Sequence, residues 1–311
     1  MKNKILITGG AGYIGSKLAS RLISDGHGVI VIDDLSTGKK TNLHPKVKLY
    51  KTSILSEEIL SILKKEKPDL IFHLAASKDV SQSVVNPVEF AKINILGSLN
   101  IIDAAYKAGV RKIVFTSTAG VYGDSSNGVA QKESDMLNPS SPYAWTKLAV
   151  EEYLIYMNKN YGMENIILRF ANVYGPGGVS EYKSVVNIFV DRLLKNQEII
   201  IHGDGKQTRD YIYIDDLVDL CISFIKTDLT IIKKQPVFNV STGTEISVTA
   251  LLKTISEIAK VKPQIQIKIN TFYGQRSSLL DTERTKRILK WHSRTSLRTG
   301  IKKMIKAIKE K

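Results

Sequence analysis

Residues 4–15 read KILITGGAGYIG, an apolar β-type run, a glycine-dense turn, and the start of a stretch in which Ile14, Leu18 and Leu22 share one helical face. Gly9, Gly12 and Gly15 have the spacing G-x-x-G-x-x-G. A glycine at such a turn permits positive φ, the next lets a pyrophosphate approach the backbone, and the third lets helix and strand pack closely. The helix amino end then offers free N–H groups and partial positive charge to phosphates. A glycine trio alone is weak evidence, but its context is specific. It follows a first strand, opens a helix, and precedes Asp33, 18 residues after Gly15 at the end of the second strand. A carboxylate there accepts from the adenosine ribose hydroxyls and repels a 2′-phosphate, so NAD is the expected cofactor rather than NADP. Tyr13 and Ile14 in the turn and Ser36 after the second strand are cofactor-side candidates.

Outward from this unit the same rhythm continues. KILIT (4–8), GVIVID (28–33), LIFHLA (70–75), KIVFTS (112–117) and NIILRF (165–170) are continuous apolar runs, as strands covered on both faces should be. Amphipathic stretches lie between them, including a long one from Pro87 to Ala108. Alternating strands and helices imply right-handed crossovers and an α/β fold with a doubly wound parallel sheet of the Rossmann type. After about residue 172 the rhythm loosens, glycines cluster at 175–178 and 203–205, and helices are expected to dominate a smaller C-terminal substrate-binding lobe. The expected division is 1–171, with returning segments within 205–242, for the dinucleotide domain, and 172–204 with 243–311 for the second lobe, a cleft lying between them.

Composition narrows the class. With 311 residues, 43% hydrophobic and 24% charged, the chain can bury a full core without disulfides. Its single cysteine, Cys221, lies in the apolar LVDLCISFI and reads as core filler; one thiol makes neither an internal disulfide nor a multi-cysteine metal site, and no metal is expected. No apolar run reaches the ~18 residues of a spanning helix. MKNKILITGG passes directly into a strand, with no small-residue cleavage site, so a cytoplasmic protein is expected. The net charge of +15 raises the question of nucleic acid, but the lysines are spread through every segment without aromatic interleaving. Their densest cluster, IKKMIKAIKEK at the C-terminus, places Ile301, Met304, Ile305 and Ile308 on one helical face and reads as a docked amphipathic helix. Neither nucleic acid nor membrane is expected as a partner; the positive field favours an anionic small molecule.

A second motif is Tyr143-Ala144-Trp145-Thr146-Lys147. Ser141 is placed to cap a helix with Pro142 at its first position, which sets Tyr143 and Lys147 one turn apart on one face. A tyrosine is a poor base near neutrality: lowering its pKa of ~10 by about three units needs roughly 4 kcal/mol of differential stabilisation. One cation at ~4 Å in an effective dielectric of ~20 supplies about that much. Lys147 is therefore able to make a base of Tyr143.

Together, TGGAGYIGS at the start, HLAA (73–76), TSTAGVYG (116–123), SPYAWTK (141–147), RFANVYGP (169–176) and GDGKQTRDYIYIDD (203–216) resemble the NAD-dependent epimerase/dehydratase family of extended short-chain dehydrogenases/reductases over nearly the whole chain. The resemblance implies bound NAD, a nucleotide-diphosphate sugar as substrate, UDP-sugars foremost, and a homodimer. It assigns Thr118 to the sugar 4-hydroxyl, Asn172 and Arg209 to the substrate diphosphate, and Leu74, Ala75, Ala76, Asn94 and Ser117 to the cofactor side. His73 reads as a structural strand-end histidine, and Asp215 and Asp216 as acids opening a helix. Family members that remove water carry an acidic residue, often a pair, after the Thr118 position; here Ala119 and Gly120 stand there. That favours a sugar 4-epimerase, in which Tyr143 takes the 4-hydroxyl proton while carbon 4 exchanges hydride with NAD. A 4-reductase fits the same residues, a 4,6-dehydratase less well, and a catalytically silent NAD-binding regulator has no use for the tyrosine base.

Two departures from the family pattern stand out. Where an aspartate often follows the third strand to bond the adenine, this chain has Lys51-Thr52-Ser53-Ile54, so Ser53 or water must do that work, and Ser53 and Ile54 are the cofactor-side candidates there. Near the end, the family's diphosphate arginine falls at Thr271, and Arg276 is the candidate replacement. The same register puts the small Ser278 near the position that gates sugar size, which predicts admission of an N-acetylated sugar.

Overall fold

The computed structural model describes residues 2–125, 128–177, 184–228, 232, 234–269 and 275–310. The first half of the chain forms β1 (Lys4–Thr8), α1 (Tyr13–Ser24), β2 (Gly28–Ile32), β3 (Lys48–Tyr50), α2 (Glu58–Glu66), β4 (Leu70–His73), α3 (Val80–Val85), α4 (Pro87–Ala91), α5 (Gly97–Lys107), β5 (Lys112–Thr118), α6 (Pro142–Tyr161) and β6 (Glu164–Phe170). There follow β7 (Asn172–Tyr174), α7 (Val185–Leu194), β8 (Ile199–His202), β9 (Thr208–Tyr213), α8 (Ile214–Ser223), β10 (Val237–Val240), β11 (Glu245–Ser247), α9 (Val248–Ala259), β12 (Ile265–Lys268), α10 (Glu283–Leu289) and α11 (Leu297–Lys309). Two compact units result: residues 1–121, 141–169 and 218–238, and residues 122–140, 170–217 and 239–311.

The first unit is built on a seven-stranded sheet in the order β10-β6-β5-β4-β1-β2-β3. Its apolar runs bury as expected; β1 and β2 each hide every residue after the first, and β4 hides all of its residues. Leu6, Ile30, Ile71, Ile113 and Phe115 from the strands meet Leu63, Ile101 and Leu154 from α2, α5 and α6 in one core. Each such side chain contributes about 1.5–3 kcal/mol through loss of apolar surface to water. The chain runs outward from β1 to β3, then crosses back to β4 on the other side of β1, so the strand order reverses between β1 and β4. Parallel register aligns Thr8 with Ile32 and His73, and His73 with Phe115. The residues just beyond, Gly9, Asp33, Leu74 and Thr116, are thereby brought to the carboxyl edge at the switch point, where open α/β sheets bind ligands.

The long amphipathic stretch expected from Pro87 to Ala108 is helical as far as Lys107, with a change of winding inside it. Between α4 and α5 the turn Lys92–Leu96 is π-helical, and its Asn94 is buried. Extra residues of this kind in a helix redirect a side chain, often at functional sites.

The second unit adds to one expectation and corrects one boundary. Helices outweigh strands in it as expected, but it also holds two small sheets that the sequence did not show: β11, β9 and β7 form one and β12 pairs with β8 in another. Segment 122–140 also groups here rather than with the large sheet, while the segment that returns to the first unit, 218–238, falls within the expected 205–242. The physical reason for the first is pairing, since β9 lies between β7 and β11. For the second, Gln131 donates its amide to Leu279 at 2.9 Å and Tyr122 donates its hydroxyl to Asn239 at 2.7 Å. The C-terminal helix docks as its spacing predicts, with Ile301, Met304 and Ile305 buried, although Ile308 is exposed. Gly300 lets α11 approach Tyr174, whose hydroxyl occupies the place of a Cβ. Asp216 does more than open α8: it accepts from Ser293, Arg294 and Thr295 at 2.7–3.0 Å and so latches the segment that leads into α11. Cys221 is core filler, its thiol pushed up to about 12 by burial. Among the described residues no helix is long and apolar enough to cross a membrane, and no cluster of metal-ligating side chains occurs.

Candidate active site

The glycine turn has the geometry its spacing calls for. Gly9 has φ +69°, and a Cβ there would sit 2.8 Å from the backbone of Ala75. A Cβ on Gly15 would fall on the carbonyl oxygen of Gly9. Helix α1 opens at Gly12 with no side-chain cap and no acid in its first turn, so its amino end keeps its N–H groups for an anion. Tyr13 is buried and Ile14 half-buried in that first turn.

Asp33 is buried beside the turn. One carboxylate oxygen accepts from the amide of Ala11 and the other from the amide of Leu35, each at 2.9 Å. Desolvation pushes its pKa upward, and the two backbone bonds oppose that. Ser36 is exposed and bonds Asp34, while the Ser53 hydroxyl accepts from Leu55 at 3.2 Å. Ile54 packs where a side chain on Gly97 would otherwise stand.

Thr8, His73 and Ser98 fasten the sheet edge from behind. Thr8 Oγ1 lies 2.6 Å from His73 Nδ1 and accepts from the amide of Ala75 at 3.2 Å; His73 Nε2 lies 2.8 Å from Ser98 Oγ. Burial, and then the charge of Lys147, pull His73 down to about 3, so it is a neutral structural tie at any working pH. Leu74, Ala75 and Ala76 follow it, half-buried. Asn94 holds the next turn, accepting from Ser77 N and donating to Ser77 O, both at 2.8 Å, and it donates to Thr146 on α6 at 2.9 Å.

Helix α6 begins as its sequence predicts. Ser141 Oγ accepts from the amide of Ala144 at 3.2 Å, and Pro142 takes the first turn. Tyr143 is half-buried and Lys147 is buried one turn later, its ammonium 4.3 Å from the ring centroid of Phe115. Desolvation pulls Lys147 down to about 7, with Glu151 acting in the other direction. At the end of β5, Thr118 Oγ1 accepts from the amide of Gly120 at 3.1 Å, which leaves its proton for a ligand oxygen. Ser117, expected on the cofactor side, gives its hydroxyl to Glu151.

In the second unit Asn172 is half-buried at the start of β7, and Arg209 lies on β9. The Arg209 guanidinium donates to the carbonyls of Thr208 and Gln275, both at 2.7 Å, and among the described residues no carboxylate pairs with it. Arg276 is exposed and forks onto Asp204 at 3.0 and 3.1 Å. Thr271 lies outside the described residues. Ser278 is buried and its carbonyl accepts from the amide of Asp210 at 3.1 Å.

Two features escaped the sequence. Lys78, half-buried in the loop after β4 with its pKa drawn by desolvation to about 8, places a cation close in sequence to the cofactor-side Leu74–Ala76 segment. Its signal was position alone. The buried Glu151 and Arg169 pair also lacked a readable signal, because a glutamate in a helix and an arginine in a strand ordinarily face water.

The likeness to known proteins runs through the whole chain. Residues 5–241 match the family model described as the NAD dependent epimerase/dehydratase family. The UDP-glucose 4-epimerase of Mycolicibacterium smegmatis is 37% identical over 315 residues, covering 99% of both chains. The crystal structure of UDP-glucose 4-epimerase with UDP-glucose from Thermotoga maritima superposes with a TM-score of 0.91 at 37% identity, covering 99% of each chain. That of Thermus thermophilus UDP-glucose 4-epimerase in complex with NAD gives a TM-score of 0.90 at 30% identity, covering 98% of this chain and 99% of that one. With the glycine turn, Asp33 and the Tyr143–Lys147 helix in place, the chain belongs to the NAD-dependent epimerase/dehydratase family.

Proposed function

We propose that the protein is a nucleotide-sugar 4-epimerase acting on UDP-sugars. The observation that carries this is the pairing of Tyr143 with the buried Lys147 on α6, next to a β5 end that supplies a hydroxyl and no acid. The residues of the first unit suit NAD: an uncapped α1 amino end for its pyrophosphate and Asp33 for its ribose. Bound there, NAD takes up and returns hydride at the sugar's carbon 4.

The chain's own groups manage the proton. Tyr143 withdraws it from the 4-hydroxyl, Lys147 stabilises the phenolate, and Thr118 donates a hydrogen bond to the same sugar oxygen. Asn172 and Arg209 in the second unit hold the diphosphate; a guanidinium whose described hydrogen bonds go to neutral carbonyls keeps its fork for phosphate oxygens. Arg276 is a secondary contact that must first leave Asp204.

Dehydration is disfavoured at the same place. Ala119 is buried, and a Cβ on Gly120 would already lie 3.3 Å from Ala144 Cβ and 3.4 Å from Thr118 Oγ1, so the position has little space for an acid. The small, buried Ser278 supports acceptance of an N-acetylated sugar. We place the protein in the cytoplasm as a homodimer joined through α3, α4, α6 and the π-helical turn after α4, which pack together and expose Val84, Val85, Val88, Leu96 and Trp145.

Purified protein incubated with NAD and a panel of UDP-, dTDP-, GDP- and CDP-sugars tests the reading, with carbon 4 followed by NMR. Inversion without added NADH is expected. A 6-deoxy-4-keto product would mean dehydration, and no turnover of any sugar would favour a regulator.

A further inference from the structure

Behind the lysine lies a charge cluster that the proton transfer above leaves unused. Glu151 is wholly buried, one helical turn after Lys147 on α6. Its carboxylate is held from two strands. Arg169 on β6 donates from Nη2 at 2.6 Å and from Nε at 3.1 Å to one oxygen and at 3.2 Å to the other. The hydroxyl of Ser117, the residue before Thr118 on β5, donates to the second oxygen. One carboxylate therefore ties together the helix carrying Tyr143 and Lys147 and the strand end carrying Thr118.

A buried ion pair of this sort is a poor stabilising device. Its desolvation cost can match or exceed its attraction, and apolar residues of similar volume often serve stability as well or better. A local electrostatic task accounts for it better. Around Lys147 stand Tyr143 and Glu151 one turn away to either side on its own helix, the Phe115 ring on β5 and neutral His73 on β4; Ser117 on β5 and Arg169 on β6 meet Glu151. Glu151 is the anion acting on the ammonium in this set.

We propose that Glu151 is a positioning residue for the tyrosine–lysine pair, keeping Lys147 charged from inside the fold while Ser117 and Arg169 hold the carboxylate in place. The assignment rests on the proposed role of Tyr143 as base. Helix neighbours at this spacing have Cβ atoms about 5–6 Å apart, within the range at which an opposite charge shifts a titration by ~1–3 units.

The test is Glu151→Gln in the NAD-loaded protein, with Lys147 titrated by NMR of lysine labelled with carbon-13 at Cε. The Lys147 midpoint should fall by about one pH unit or more, since a neutral amide no longer favours the ammonium. The acid limb of the kcat profile should move to higher pH, because a neutral lysine no longer favours the phenolate. An unchanged midpoint and limb, whatever happens to the melting temperature, would overturn the proposal and leave Glu151 a purely structural group. If Glu151→Gln does not fold, the double variant Glu151→Gln with Arg169→Gln replaces the ion pair by an uncharged pair, and the same two readouts decide. The titration needs no substrate, so its failure is separable from a failure of the epimerase reading.

Discussion

Asp33 accepts a hydrogen bond from the backbone amide of Ala11 at 2.9 Å, which fastens the end of β2 to the glycine turn. The carboxylate is thus oriented before any ligand arrives, and each oxygen still has acceptor capacity for a ribose hydroxyl. Losing a charged acceptor costs ~1.5–3 kcal/mol, so Asp33→Ala should weaken NAD binding roughly ten- to hundredfold. Binding of NADP should fall less, because the repulsion of a 2′-phosphate goes with the charge. Calorimetric titration with both cofactors measures this, and an unchanged NAD affinity would remove Asp33 from the site.

Lys147 makes a signed prediction about pH. In the unfolded chain a lysine titrates near ~10.4; in the folded protein burial brings Lys147 to about 7. Between these values the unfolded chain binds the extra proton, so stability rises with pH through that window, and the cost of burying the charge is fully in force below it. Lys147→Met removes the charge at similar volume. The cofactor-free variant should therefore be more stable than wild type at pH 6, on the order of 3 kcal/mol, with the gain fading as pH approaches 10. Urea denaturation at three pH values tests the slope. Turnover should suffer in the opposite sense: Lys147→Met and Tyr143→Phe should each lower kcat at least ~100-fold, while Tyr143→Phe still binds NAD. Retained activity in Tyr143→Phe would remove it as the base.

The sequence displayed those features that depend on neighbours along the chain. Gly9 to Gly15, the apolar runs of β1 to β6, and the Ser141 cap before Tyr143 and Lys147 are all local, and the fold follows from their order. What it hid depends on partners far away. Asn94 is marked by resemblance as a cofactor-side residue, but nothing nearby in sequence shows that a π-helical turn brings it to Ser77 and Thr146. Ser117 reads as a cofactor contact because nothing nearby reveals that Glu151 takes its hydroxyl. The short strands of the second unit carry little alternation, so their pairing was invisible, and segment 122–140 was assigned to the first unit.

Arg209 and Arg276 are separated by their acceptors. Arg209 gives its hydrogen bonds to carbonyls, which do not cancel its charge, whereas Arg276 is already paired with Asp204 at the surface. Arg209→Ala should raise KM for the UDP-sugar about tenfold or more, as expected for loss of a charge-assisted contact to phosphate. Arg209→Lys should recover little, since an ammonium cannot reproduce the fork. Arg276→Ala should change KM less than about threefold, because an exposed ion pair is worth at most ~1 kcal/mol to begin with. Steady-state kinetics on the three variants settles the order; a larger effect at Arg276 would make it the main diphosphate contact.

The exposed apolar side chains of the first unit are where the proposed homodimer would join. Val88 on α4 is 80% exposed and Leu96 in the π-helical turn 57%, on helices that pack against α6, where Trp145 is 56% exposed. Single exposed apolar residues are ordinary, but several on mutually packed helices mark an association surface. A twofold contact would bring each such side chain against the same face of a second copy. Val88→Glu combined with Leu96→Glu places unpaired charge in that contact, where desolvation opposes burial. Light scattering after gel filtration should give a dimer for wild type and a monomer for the double variant, and far-ultraviolet circular dichroism should show the same helix content in both. A wild-type monomer, or a variant that stays dimeric, would place the association surface elsewhere or remove it.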